Sequence, residues 1–278
     1  MVNRAVLMKD TYLYYLRNYY RSKSFYLMFF ISVVVAILLT YLSFRYINDL
    51  STFISRAHLN LTGSHVNELA LAYLWGFILS NLPVFASVFF GSPAISSEIE
   101  SKTAFHIFTL PIPRIVLLLG KFFASVSVTI LIVITYSVIQ LSVFYYLFGG
   151  IIPQIFYSIL LTFVFVFAIS AVTFLISSIF NKNTYAYISV LIIYLLVLNA
   201  ATIVIELLYK TVPYYLLNQA ASITYRVFIN LTFGITTVAV NPAPAGYSSM
   251  VSNALIMFLY FLISLGITAI LFERKEVK

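Results

Sequence analysis

Cysteine is absent from the sequence, which excludes disulfides, thiolate metal sites and cysteine nucleophiles. Charge is scarce as well, because charged side chains make up 9% of the 278 residues, whereas soluble globular domains contain about a quarter. Apolar residues account for 62% of the chain. A soluble domain of this composition would expose large apolar patches and aggregate. The composition therefore excludes a soluble enzyme, a nucleic-acid-binding domain and a disordered tail.

Recognisable catalytic motifs are missing too. The Gly120-Lys121 pair is followed by Phe122, so a phosphate-binding loop of the form G-x-x-x-x-G-K-[ST] is absent. The serine-hydrolase elbow and the two-histidine zinc motif are also absent. His58 and His65 would make only a weak metal pair, and we favour solvated loop histidines. We therefore expect no catalytic residues, no metal site and no cofactor in this chain, which we do not expect to be an enzyme.

Long apolar runs account for most of the chain. A membrane-spanning helix needs roughly 20 mostly apolar residues, and six stretches reach that length. They predict an all-α integral membrane protein with six transmembrane helices, in a single domain that covers residues 1–278. The expected spans are 25–44, 69–90, 122–148, 154–180, 185–208 and 250–272.

The basic residues predict how these spans are oriented. Twelve of the 16 Lys and Arg residues fall on the side that also holds both termini. The positive-inside rule then predicts a multi-pass protein of the cell membrane with both termini in the cytoplasm. The net charge of +8 is thus interpreted as a topology signal, and we expect no nucleic-acid partner. Asn60 and Asn230 begin sequons on the predicted outer side and are candidate glycosylation sites, although sequons also arise by chance.

Two segments outside the spans have a helical pattern. In residues 1–23, Met8, Tyr12, Leu16 and Tyr19 recur at helical spacing, which predicts an amphipathic interfacial helix on the cytoplasmic surface of the membrane. The alternative is a basic flank that only determines topology.

The outer segment between spans five and six, residues 209–248, is long but not especially polar. We expect a helix over about 214–231, followed by a turn, as an outer interfacial or re-entrant segment that packs on the bundle or on a partner subunit. Its apolar stripe consists of Leu216, Ala220, Ile223, Val227 and Leu231.

Polar residues inside the spans have two interpretations. Asn199, Thr202 and Glu206 share one face of span five, and a second polar face lies on span three. Hydrogen bonding between helices explains such faces. The alternative is the lining of a transport path, and for the span-five face we expect a position at the outer mouth. Apart from Glu206 the spans contain no ionisable residue, so an internal proton relay is not expected. The span-three face consists of Ser125, Thr129, Tyr136 and Gln140.

The cytoplasmic loop at residues 93–114 is the most informative stretch. Ser96 or Ser97 could cap a helix, with the carboxylates of Glu98 and Glu100 near its positive N-terminus. Prolines at the end of the loop would stop that helix before span three. A short helix with carboxylates and aromatic residues suits docking onto a partner, but taken alone it also fits an ordinary interfacial loop.

This loop resembles that of the permease subunits of the ABC-2 exporter family, which reads E-x-E-x-G-T, then an apolar run, L-P-I-x-R and a later G-K. Lys102 replaces the usual glycine and Phe105 replaces a frequent acid. The amphipathic first helix, the six spans and the outer segment are also similar to the family's plan. The matching residues are Glu98, Glu100, Thr103, Leu110, Pro111, Ile112, Arg114, Gly120 and Lys121.

The resemblance implies a partnership. The chain would be half of a homo- or heterodimer of permeases, and each half would receive a cytoplasmic ATPase that binds ATP and Mg²⁺. Substrates in such a family include lipid-like molecules, glycans, peptides and drugs. The loop would be shaped by Pro111, Pro113 and Arg114. The coupling residues would be Glu98, Glu100, Lys102, Thr103, Phe105 and His106.

Other functions fit the composition as well. A self-sufficient channel or secondary carrier would show ionisable residues in its spans or internal repeats with broken helices, and neither is evident. A membrane-embedded enzyme would need clustered catalytic residues near the end of a span. A non-transporting membrane scaffold of a larger complex is hard to distinguish from a permease by sequence.

Overall fold

The computed structural model describes residues 4–56, 66–103, 112–233, 238–241 and 245–274. Within these ranges the chain is helical almost throughout, with two four-residue strands in the outer segment. The helices are α1 (Arg4–Arg21), α2 (Lys23–Arg56), α3 (Val66–Gly91), α4 (Pro93–Glu100), α5 (Arg114–Phe148), α6 (Pro153–Ile179), α7 (Asn183–Leu191), α8 (Leu198–Tyr209), α9 (Leu217–Ala221), α10 (Ile223–Arg226) and α11 (Tyr247–Arg274). The strands are β1 (Asn230–Phe233) and β2 (Val238–Asn241).

The six predicted membrane spans are confirmed. Each is long and apolar enough to cross a bilayer, so the chain is a multi-pass membrane protein. The helix of span three has 35 residues and a length of about 52 Å, which exceeds the hydrocarbon thickness of about 30 Å. In order, the spans are Lys23–Ile47, Asn67–Glu100, Arg114–Phe148, Pro153–Ile179, Asn183–Tyr209 and Tyr247–Arg274.

Three spans form the core and three surround it. In spans two, three and four, the central spans, 61–67% of the most apolar window is buried, against 17–22% in spans one, five and six, the peripheral spans. The polar face of span three is wholly buried. Tyr136 in this face donates a hydrogen bond to the backbone oxygen of Trp75 at 3.0 Å, which joins spans three and two. This contact supports the helix–helix interpretation of that face.

The N-terminal helix forms as predicted, but its apolar stripe faces α5. Thr11 and Tyr15 are buried, and Tyr12 shares a hydrogen bond with Ser127 of α5 at 3.0 Å. The approach is close at Gly120, where an added Cβ would lie 2.6 Å from Cγ2 of Thr11. The apolar side of α1 is therefore used for packing inside the protein.

Span one is longer than expected. We predicted a loop from residue 45 onward, but α2 continues as a helix to Arg56. A continuous helix satisfies its own backbone hydrogen bonds and can therefore extend beyond the membrane without other partners.

The single helix predicted over 214–231 is wrong. The chain there forms α9 and α10, and then β1 pairs antiparallel with β2, with Asn230 opposite Asn241. The predicted stripe is nevertheless buried at Ala220, Ile223 and Val227, because the segment packs against spans two, four and six. Burial satisfies the requirement that irregular backbone be covered by protein.

Span five is not a uniform α-helix. A π-helical segment, Ile192–Val197, separates α7 from α8. Such segments hold one additional residue per turn and often occur at functional positions.

Candidate functional site

The helix of the cytoplasmic loop, α4, lies earlier in the chain than predicted. It begins at Pro93, a residue that suits the first turn of a helix. Glu98 and Glu100 consequently lie in its last turn, not in its first. Carboxylates are unfavourable near the negative C-terminal end of a helix. Each of the two therefore needs a compensating donor, and the structure provides at least one for each.

Glu98 is held inside the protein by Lys121 and Tyr15. Its Oε2 forms an ion pair with Nζ of Lys121, whose side chain is 1% exposed. Its Oε1 accepts a hydrogen bond from the Tyr15 hydroxyl at 3.1 Å. Nζ of Lys121 also donates to the backbone oxygen of Ala94 at 3.1 Å. These contacts join α1, α4 and α5.

Two tyrosines of α1 act as neutral hydrogen-bond donors in this region. Burial raises the pKa of Tyr15 above its usual value, and the negative charge of Glu98 raises it further. Burial and Glu98 also raise the pKa of Tyr19. The Tyr19 hydroxyl donates to the backbone oxygen of Phe90 at 2.9 Å, so α1 also contacts the end of α3.

The N-terminus of α4 is capped by a residue from another helix. Oγ of Ser177, at the end of span four, accepts hydrogen bonds from the backbone N–H groups of Ile95 and Ser96, each at 3.1 Å. It donates in turn to the backbone oxygen of Ser92 at 2.5 Å. The first N–H groups of a helix lack partners within the helix, and a serine oxygen is well suited to satisfy them. Ser177 thus joins α4 to span four.

Glu100 joins α4 to span five. Its Oε2 accepts a hydrogen bond at 2.9 Å from the backbone N–H of Asn183, the first residue of α7. A carboxylate at a helix N-terminus is stabilised by the helix dipole. The negative charge of Glu100 is unfavourable at the C-terminus of α4, but it is favourable at the N-terminus of α7.

The turn after α4 is exposed. Ser101, Lys102 and Thr103 all point into solvent, and the hydroxyls of Ser101 and Thr103 are 2.9 Å apart. Lys102 has a φ of 58°, in the left-handed region that glycine adopts without strain. This conformation gives a physical reason for the glycine that the resemblance implies at this position.

A crevice of 640 Å³ adjoins this turn. It lies between α1, α4 and the start of α7, and both Glu98 and Lys121 contribute to its wall. Many of the other lining residues carry a hydroxyl or amide group on an otherwise apolar wall, including Tyr14, Asn18, Ser97 and Tyr187. Such a surface can accept a side chain from another protein through hydrogen bonds.

The structure describes some of the remaining predicted site residues, and others lie outside the described residues. Pro113 directly precedes α5. Nη1 of Arg114 donates to the backbone oxygen of Glu273 at 2.6 Å, which joins the start of span three to the end of span six. Among the other predicted site residues, Asn230 begins β1. Four of them lie outside the described residues, namely Asn60, Phe105, His106 and Pro111.

The polar face of span five contacts the outer segment. Nδ2 of Asn218 donates to Oδ1 of Asn199 at 2.9 Å and to Oγ1 of Thr202 at 3.2 Å. Glu206 lies further along α8 and is half-buried, outside this cluster. Asn199 and Thr202 are therefore brought together, and their immediate partner is the protein's own outer segment.

Sequence reasoning missed several residues of the site. Tyr15, Ser177 and Asn183 were not singled out, and Lys121 was recognised only as part of a motif. A signal existed for Lys121, because a lysine near the start of a span requires an anionic partner. No local signal marks Ser177, since serines are frequent throughout span four.

The comparison with protein families agrees with this architecture. No curated protein matches the chain closely enough to serve as a relative. The family model described as ABC-2 family transporter protein matches residues 15–277, which include all six spans and the α4 region. This protein therefore belongs to the ABC-2 transporter family.

Proposed function

We propose that this chain is the transmembrane permease subunit of an ABC exporter, and that a separate ATPase supplies the energy. The observation that carries the proposal is the attachment of α4. The turn that follows it, Ser101 to Thr103, is exposed, while α4 itself is bonded to α1, span three, span four and span five. A displacement of the exposed turn would be transmitted to four elements together. Family membership and the lack of a phosphate-binding loop in the sequence support this division of labour.

The ATPase would contact the exposed turn and the adjacent crevice. Glu100, Lys102 and Thr103 are the described residues best placed for this contact, and Phe105 and His106 would extend it. Glu98, enclosed by Lys121 and Tyr15, would act by positioning α4 rather than by touching the partner. ATP and Mg²⁺ would be bound by the ATPase.

A second permease subunit would cover part of the peripheral spans. Spans one, five and six present apolar side chains outward, as expected of helices in contact with lipid or another subunit. The family resemblance favours a dimer, and the distribution of basic residues favours cytoplasmic termini. The substrate would cross the membrane between the two subunits, from the cytoplasm outward.

The contact with the ATPase is tested by reversing one exposed charge. Lys102→Glu should reduce copurification of the native ATPase by about tenfold or more, as expected for the loss of an anchor at a protein interface. The matched control is Arg274→Glu, which makes the same charge change at another exposed position near the same end of the bundle. Equal recovery of the ATPase with both variants would place the contact elsewhere.

The topology is tested with single cysteines, because the chain has none of its own. Lys210→Cys, at the exposed end of α8, should react with a membrane-impermeant maleimide in intact cells. Ser101→Cys, in the turn after α4, should react only after permeabilisation. The opposite pattern would contradict the proposed orientation and, with it, the ATPase contact.

The span-five face has a separate proposed role. Asn199, Thr202 and Glu206 would border the outer mouth of the path, with Asn218 holding the outer segment over it. Glu206→Gln should alter substrate-stimulated ATPase activity at unchanged protein level. Lys210→Gln, one turn later, serves as the control and should leave this activity unchanged.

A further inference from the structure

One side of α1 is largely exposed and packs little against the rest of the described chain. Arg17, Arg21 and Leu13 are exposed there, and Tyr20 is half-exposed. These side chains line a shallow depression of 540 Å³ on the helix surface. Neither guanidinium forms an ion pair or hydrogen bond within the described residues. The side thus combines apolar groups with cationic groups that have no partner among the described residues.

The short connection to span one determines where the exposed side of α1 lies relative to the membrane surface. A single residue, Ser22, separates α1 from α2, and its Oγ accepts a hydrogen bond from the backbone N–H of Phe25 at 3.2 Å. Span one begins at Lys23, so Arg21 lies immediately before the chain enters the membrane. The opposite side of α1 packs on α5 near Gly120. The exposed side therefore lies at the level of the lipid headgroups.

The charge of this side is positive. Arg17 and Arg21 lie beside a single exposed carboxylate, that of Asp10, and Lys23 adds another positive charge at the start of span one. Basic residues at this depth attract anionic lipids, and neighbouring apolar side chains can contact the upper part of an acyl chain. A soluble partner would not need this combination at the membrane boundary.

We propose that this side of α1 binds an anionic phospholipid of the cytoplasmic leaflet. The phosphate is held by Arg17 and Arg21, and the acyl chain contacts Leu13 and Tyr20. The assignment to the cytoplasmic leaflet rests on the proposed orientation of the permease, whereas lipid binding itself does not.

Bound lipid would influence the coupling region through α1 itself. The other side of the same helix carries Tyr15, which donates to Glu98 of α4. A lipid that holds α1 in place would therefore also hold one of the attachments of α4. Anionic lipid acts in this way as a structural partner of the coupling helix.

Native mass spectrometry of the purified full-length chain tests the proposal without the ATPase. The protein is titrated with dioleoyl phosphatidylglycerol or with dioleoyl phosphatidylcholine, which differ in charge but not in acyl chains. We expect preferential retention of phosphatidylglycerol. The double variant Arg17→Gln/Arg21→Gln should lose affinity for it by roughly fivefold for each guanidinium removed, with phosphatidylcholine binding unchanged.

The control variant, Arg45→Gln/Lys210→Gln, removes two exposed positive charges at the opposite end of the bundle and should keep full affinity. Equal retention of the two lipids by the natural protein would overturn the proposal. So would equal phosphatidylglycerol binding by the two double variants. If Arg17→Gln/Arg21→Gln releases the ATPase while lipid binding persists, this side belongs to the ATPase and the lipid proposal is wrong. Cysteine labelling decides the orientation independently.

Discussion

In the proposed orientation, the cytoplasmic end of the central spans is joined by charged and hydroxyl groups, whereas the outer end is joined by neutral hydrogen bonds and aromatic ring contacts. At the cytoplasmic end, Lys121, Glu98 and Ser177 make directional contacts to α4. At the outer end, the ring of Tyr225 packs edge-on against Tyr73 and Phe77. A buried ion pair is costly to break because removal of one partner leaves a charge uncompensated inside the protein. The comparison predicts that substitutions at the cytoplasmic end have the larger effect on stability.

The largest effect is expected when the buried ion pair is broken. Lys121→Met leaves the Glu98 carboxylate without its cation and should destabilise the protein by about 3–5 kcal/mol. Glu98→Gln in the same chain should restore most of this loss, because two neutral groups need no ion pair. Thermal unfolding of the purified proteins in detergent measures both. Equal stability of the single and double variants would show that the pair does not couple α4 to span three.

Two glycines, one near each end of the central spans, provide a second comparison. An added Cβ at Gly91 would lie 2.2 Å from Oγ1 of Thr173, and one at Gly76 would lie 2.9 Å from the Phe228 ring. Overpacking of this kind costs about 1–3 kcal/mol. We expect Gly91→Ala to be the more destabilising, because a ring can move aside more easily than a side chain within span four.

Gly266 is the matched control for both glycines, since a Cβ there would meet no atom within 4 Å. Gly266→Ala should be neutral or stabilising by up to about 1 kcal/mol, as usual for this change within a helix. Thr173→Ala combined with Gly91→Ala should recover stability. The comparison between the ends fails if Gly76→Ala proves the more damaging variant in thermal unfolding.

Serines that bond to a neighbouring element allow a finer test. Ser177→Ala removes the cap of α4 and should cost about 1–2 kcal/mol. Ser158→Ala at the outer end removes one hydrogen bond of 2.6 Å to the backbone oxygen of Thr224, and should cost about 1 kcal/mol. Ser177→Ala should also reduce transport-coupled ATPase activity, whereas Ser158→Ala should not. Equal loss of activity in both would argue against a special role for α4.

The smallest expected effect concerns the exposed turn. Lys102→Gly relieves a left-handed backbone conformation and should stabilise the protein by up to about 1 kcal/mol. Lys102→Ala is the control, because alanine keeps the unfavourable conformation while removing the charge. A shift in unfolding temperature that is the same for both variants would mean that the charge, not the backbone, is responsible.

The spans could be predicted because each is a long, continuous run of apolar residues. Each is a run of apolar residues whose length is set by the bilayer, and the structure differs from prediction mainly at the ends, as with α2. The helix α1 was predictable for the same reason. Which surface its stripe contacts was not, because packing on Gly120 and insertion into lipid require the same apolar pattern.

The site was only partly predictable. The spacing of Glu98 and Glu100 identified the loop, but the start of α4 at Pro93 reversed the end of the helix at which they lie. The pairing of Glu98 with Lys121 depends on how α4 folds against span three, which no local pattern encodes. Strands of four residues, such as β1, are too short to be distinguished from part of a helical stripe.

The π-helical segment of span five has a consequence for how this helix tolerates insertion and deletion. One additional residue turns everything after it by roughly 100° relative to a regular α-helix. Asn183 can therefore meet Glu100 at one end while Asn199 and Thr202 meet Asn218 at the other. A chain one residue shorter in Ile192–Val197 would still form a continuous helix across the membrane, but its two ends would no longer be in phase, and one set of contacts would be turned away from its partner.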